Sequence, residues 1–155
     1  MSKRLSSTAI CAALSLLALV PRAEATSDYE YKPGEYVTIK HGRSPDGAWY
    51  IAAHGPDKDG NGDEFKVYLM DGKTGKKIGP LTEITDVSYQ DTAPLAYHAV
   101  WSADSQFVTI SYRSDRHTIS LVKYKISDRR ATKVTGPKPA TDKEAAELGW
   151  PDPDN

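Results

Sequence analysis

The sequence predicts an all-β protein made of two four-stranded antiparallel repeats, with a short C-terminal helix. Three observations lead there. Strand-sized runs of β-branched and aromatic residues recur eight times between turn signals. Ten prolines, eleven glycines and nine tyrosines favour strands and turns over a helical bundle. A turn-plus-strand pattern also returns after 58 residues.

The N-terminus sets the boundaries. Lys3 and Arg4 precede an apolar run from Ala9 to Val20, Pro21 breaks it, and Ala23-Glu24-Ala25 places small residues around a cleavage point. This is the layout of a secretory signal peptide over residues 1–25. A run of about 12 residues is too short for a membrane span, and no later run approaches the necessary length. The expected mature chain is therefore about 130 residues, exported to a periplasm or beyond the cell. Losing Lys3, Arg4, Arg22 and Glu24 moves the formal charge from −1 to about −3. Cys11, the one cysteine, lies inside the leader, so disulfides, thiolate ligands and cysteine nucleophiles are excluded. Near-zero charge gives no global footprint for nucleic acid.

The strand signals then follow in order. After a lead-in segment (26–34), Tyr36–Ile39, Trp49–Ala53, Phe65–Met70 and Lys77–Leu81 make the first repeat, 35–90. In Phe65–Met70 the alternation puts Phe65, Val67 and Leu69 on one face and Tyr68 and Met70 on the other. Tyr97–Trp101, Phe107–Tyr112, Ile119–Tyr124 and Thr132–Val134 make the second, 91–137. In the tail, 138–155, Thr141 and Glu144 form a capping box for a helix over 142–148, which Gly149 ends. Trp150 is placed to dock this tail and cover a sheet edge.

Ser44-Pro45-Asp46-Gly47 precedes Trp49 as Ser102-Ala103-Asp104-Ser105 precedes Phe107. Further on, Tyr68 aligns with Tyr124 and Ile78 with Val134 at an offset of 56, which shortens the second inner loop by two residues. Sheet repeats near this period mark propeller blades. The expected core is Trp49, Ile51, Val67, Leu69, Trp101, Phe107, Ile110 and Leu121, with Trp101 between blades.

Residues 44–81 resemble a blade of the TolB-like β-propellers. The motifs that carry the resemblance are Ser44–Gly47, the Asp59–Asn61 loop, Tyr68–Asp71 and Thr74–Lys76. The second repeat keeps Trp101-Ser102 but replaces Pro-Asp-Gly and lacks the Asp-Gly-Asn loop. The resemblance spans roughly residues 36–136 and implies a blade fold; such repeats occur in periplasmic translocation proteins, in peptidase propellers and in secreted binding modules. A propeller closes with four or more blades, and two leave exposed edges. Three arrangements follow: copies assembling into a closed ring, two sheets packed as a small sandwich, or a remnant that borrows a partner.

Candidate chemistry is sparse. Asp57, Asp59, Asn61 and Gly62 match the first half of a calcium loop, with Asp63 or Glu64 to complete the shell, but Tyr68 stands where the bidentate Glu belongs. The plain alternative is a polar hairpin loop. His54 ends a strand and His98 lies on an inner strand, where propeller ligands bind. Neither sits in a zinc spacing. Residues 91–140 hold 8 basic and 4 acidic side chains, against 8 and 11 over 26–90. Arg113, Arg116, His117, Lys123, Lys125, Arg129, Arg130 and Lys133 make this second-hairpin cluster, suited to an acidic protein, lipid head group or anionic glycan. Lys and Arg on a solvated edge serve equally to discourage aggregation. Tyr29, Tyr31, Tyr36, Tyr89 and Tyr97 offer a stacking surface. No G-x-S-x-G elbow or phosphate loop occurs. The expectation is an exported module that binds a protein or glycan through His54, His98, Arg113 and Arg116. The alternatives are a calcium-dependent adhesion or accessory module and a small hydrolase with an unrecognised site.

Overall fold

A computed structural model describes residues 29–56, 64–85, 92–115 and 117–150. The leader, the Asp57–Asp63 loop, Tyr89 and Arg116 lie outside them.

All eight expected strands form. They are β1 (Val37–Arg43), β2 (Trp49–His54), β3 (Lys66–Asp71), β4 (Lys77–Pro80), β5 (Tyr97–Trp101), β6 (Phe107–Asp115), β7 (Thr118–Ser127) and β8 (Arg130–Pro139). The helix α1 spans Asp142–Glu147. Each half is an antiparallel meander, and the strand order is β4-β3-β2-β1-β5-β6-β7-β8. The two innermost strands run parallel and meet at Lys40 and His98, which joins the halves into one sheet. The all-β expectation holds, with that join as the added feature.

The last strands are longer than expected. β7 and β8 meet through Asp128-Arg129, both with positive φ (51° and 56°), so a two-residue turn connects them without glycine. Pro137 and Pro139 sit within β8 because it is an edge strand, where a missing N–H costs no ladder bond.

The repeat is visible atom by atom at its turns. Ser44 Oγ bonds Asp46 and accepts from the Trp49 N–H, while Asp46 accepts from the Ala48 N–H. Ser102 and Asp104 make the same bonds to Phe107 and Gln106. Gly47 takes φ 68° and its counterpart Ser105 takes φ 59°. Ser105 is buried there, and its hydroxyl accepts the Asp46 N–H at 3.2 Å, tying one turn to the other. That bond offsets the left-handed strain that glycine avoids.

The strand register corrects the offset. Trp49 pairs with Asp71, whereas Phe107 pairs with Lys125. The second inner hairpin is therefore four residues shorter, not two, and Met70 rather than Tyr68 is the counterpart of Tyr124. An even offset preserves strand parity, so face comparisons survive the correction.

Those comparisons give the main architectural result. The core holds Ile51, Ala53, Val67 and Leu69 of the first half against Val108, Ile110, Tyr112, Val122, Tyr124 and Ile126 of the second. Each such large side chain contributes about 1.5–3 kcal/mol by leaving water. Val108, Ile110, Val122 and Tyr124 correspond in the repeat to Tyr50, Ala52, Tyr68 and Met70, which lie on the opposite face of the first half. Ile51, Ala53, Val67 and Leu69 correspond to Thr109, Ser111, Leu121 and Lys123, outside the main core cluster. The halves lie side by side in one sheet through the parallel pair β1 and β5, so repeat-equivalent residues fall on opposite faces of that sheet, and the core takes a non-equivalent set from each half.

Trp101 sits in this seam, packed on the core with its indole N–H donated to the Gly42 carbonyl. Phe107 departs from expectation: it is half-buried on the outer face, with the Lys123 ammonium 5.0 Å from its ring centre. Leu121 is buried but stands outside the main cluster. Tyr31 and Tyr97 are core residues, not a stacking surface; Tyr31 and Tyr97 both pack near Phe65. At the far end Arg129 donates to Asp71 at 2.6 Å, joining the β7–β8 turn to the β3–β4 turn.

The Asp71 carboxyl also accepts backbone N–H bonds from Thr74 and Lys73. The Thr74 amide first, and then Arg129, hold it well below the usual carboxylate range. A depressed carboxyl adds stability above the unfolded-state range near pH 4, and that stability is lost as pH falls. Asp71→Asn is therefore less stable than wild type in denaturant at pH 7, and the gap narrows on moving to pH 3. A gap that stays constant across that range would show that the charge of Asp71 contributes nothing.

Candidate functional site

The one sheet leaves one outer face, and the expected binding residues that the structure describes divide between its two halves. His98 and Arg113 come together on the second half. His54 lies on the first half.

In the second half β5 and β6 set His98 beside Ser111, paired directly across the ladder. Both are buried. After α1 the chain turns at Gly149, with φ 77°, and lays Trp150 over them. The indole stacks on the His98 ring at 4.4 Å with a 15° tilt. Its Nε1–H donates to Ser111 Oγ at 2.9 Å. The Arg113 guanidinium lies 6.0 Å from the indole. The His98 Nδ1 faces the Leu148 carbonyl at 3.2 Å, and a carbonyl only accepts, so Nδ1 carries the proton. Trp150 therefore docks on the sheet face rather than over an edge, and the chain's own tail occupies the ground that His98 and Arg113 define.

The tail is held by its cap. Thr141 and Glu144 complete the capping box, and Glu144 also accepts from Lys138 at 2.9 Å. The Thr141 backbone N–H first, and then Lys138, lower the Glu144 carboxyl to about 2.

In the first half His54 is buried and donates Nδ1–H to the Glu35 carbonyl. Tyr36 stacks on it at 4.8 Å, and Tyr36 meets Tyr68 edge-on at 5.4 Å. The Lys77 ammonium lies 5.5 Å from the Tyr36 ring and 5.1 Å from the Tyr68 ring. Arg43 lies 5.2 Å from the Tyr50 ring. These cation–ring pairs were not foreseen. Tyr36, Tyr50 and Tyr68 come from three separate segments and their cations from β1 and β4, which only the strand order brings together. Ser111 escaped notice for the same reason: a serine in a strand carries no signal until a tail 39 residues away reaches it.

Arg43, Lys77, Arg113 and Lys123 each stand over an aromatic ring on an outer face. Such pairs hold a cation in place while leaving part of its charge available. Among the described residues no helix is long and apolar enough to cross a membrane. Compared with protein-family models, curated proteins and solved structures, the chain matches none.

Replacing Trp150 separates stacking from hydrogen bonding. Trp150→Phe keeps a ring over His98 and loses the bond to Ser111, a cost of about 0.5–1.5 kcal/mol. Trp150→Ala loses both, costs more, and speeds amide exchange across α1, read by hydrogen-exchange mass spectrometry. Equal effects from the two variants would show that the stacking contributes nothing.

Proposed function

We propose that this chain is an exported, non-catalytic binding module of TolB-like blades that engages a protein or glycan. The observation that carries the reading is the use of non-equivalent repeat faces in one sheet: the core takes one face of the sheet, so its outer face differs between the two halves. In the first half, Tyr50, Ala52, Tyr68 and Met70 are the repeat counterparts of residues that are core in the second. Ala52, Tyr68 and Met70 are buried there, so the part of this face that meets a partner is half-buried Tyr50 with exposed Arg43 and Lys77.

Charge favours a foreign partner over ring closure by a second copy. Lys40, Arg43, Lys66 and Lys77 belong to the first half, and head-to-tail ring closure would set them against the second half of the next copy, which carries Arg113, Lys123 and Lys125, and so bring like charges together. The docked Trp150 stands on the second half. The histidines serve the module as internal supports: each donates a ring N–H to a backbone carbonyl and stacks on an aromatic ring.

A photo-reactive residue in place of Tyr50 tests the reading. It is expected to trap one discrete envelope partner, to be competed by excess unmodified protein, and to lose about tenfold in capture when Arg43→Glu is added. Capture that unmodified protein fails to compete, or that Arg43→Glu leaves unchanged, would refute a partner surface on the first half.

A further inference from the structure

We infer that the outer face of the second half binds a linear anionic glycan, a polymer of carboxylate-bearing sugars. This deepens the binding-module reading and rests on it, but it uses residues separate from Tyr50 and Arg43.

The site begins with neighbouring cations on β7 and β8. Lys123 and Lys125 stand two residues apart on the same face of β7, so their Cα atoms lie about 7 Å apart. Arg130 pairs with Ser127, the next outward residue of β7, and so adds a third cation one strand over, on β8. All three are exposed. The ion pairs among the described residues use Lys66, Arg129, Lys138 and Lys143, and none of these three.

Hydroxyls flank the lysines. Thr109 and Thr135 pair with Lys123 from either side, and Thr132 pairs with Lys125. The Trp150 indole, with Arg113 beside it, bounds the group where the tail crosses the sheet. Neighbouring cations, side-chain hydroxyls and a ring at one end complement a chain of sugar rings that carry carboxylates and hydroxyls.

Thr109, Lys123 and Lys125 stand outside the apolar core, and Lys123 and Lys125 are exposed. Three neighbouring cations repel one another, and a bound polyanion relieves that repulsion. A lipid surface fits less well. The face projects lysines, its Phe107 ring lies beneath Lys123, and Val100 is its exposed large apolar side chain.

The test is calorimetric titration of the purified protein with polygalacturonate, with neutral dextran and anionic phospholipid vesicles as the other arms. The expected result is binding of polygalacturonate alone at low salt, weakened by added salt. Lys123→Glu/Lys125→Glu should weaken it by about tenfold or more, and Arg130→Ala by less. Lys123→Gln/Lys125→Gln guards against misfolding and should show a smaller loss in the same direction, with an unchanged melting curve. No binding at low salt, binding unaffected by both double variants, or binding of vesicles without polygalacturonate would each overturn the inference. Polygalacturonate binding that fails while capture at position 50 persists removes this site alone. Capture that fails while polygalacturonate binding persists removes the first-half surface alone.

Discussion

The apolar seam between Ile51, Ala53, Val67 and Leu69 and the facing Val108, Ile110, Val122 and Tyr124 is the contact on which the rest of the molecule depends. The two halves of the sheet share this one core, and the faces they turn towards it fix everything outside it. Because those faces are not equivalent in the repeat, the surfaces left over differ. The clips at its ends depend on the same choice: Ser105 meets Asp46 at one turn, and Arg129 meets Asp71 at another. Both bonds run between repeats, so both presuppose the seam.

The two halves of the outer face have diverged in chemistry from a common pattern. The first keeps rings and a thioether in the positions that the second uses for its core, and covers them with Lys77 and Arg43. The second has Thr109, Ser111 and Lys123 where the first has Ile51, Ala53 and Leu69, and part of it lies under Trp150. One half of the outer face is thus partly covered by the chain's own tail and the other is not. That asymmetry underlies the reading of the protein as a module that works by association.

Much of the fold was legible because strand signals are local. The Ser-x-Asp turns, the alternation of Phe65–Met70 and the Thr141–Glu144 box all formed as their residues dictate. The misreadings share a cause: each depended on a neighbour distant in sequence. Phe107 looked like core because Trp49 is its counterpart, yet the packing puts the two on different sides of the seam. The inner-hairpin offset was misjudged by two residues because side-chain likeness ranked Tyr68 with Tyr124, whereas the hydrogen-bond ladder pairs by backbone position. Asp128-Arg129 carried no turn signal because neither residue is the glycine that positive φ usually selects. His98 and Arg113 were picked out as ligand residues, and they converge, but on Trp150 of the same chain.

The most direct measurement of the account is denaturant unfolding of two exchanges at one repeat position, Leu69→Lys and Lys123→Leu. Non-equivalent packing places Leu69 in the seam and Lys123 in water. The account predicts that Leu69→Lys costs more than about 3 kcal/mol or prevents folding, while Lys123→Leu changes stability by less than about 0.5 kcal/mol. Comparable costs for the two exchanges would mean that equivalent faces meet, and would contradict it.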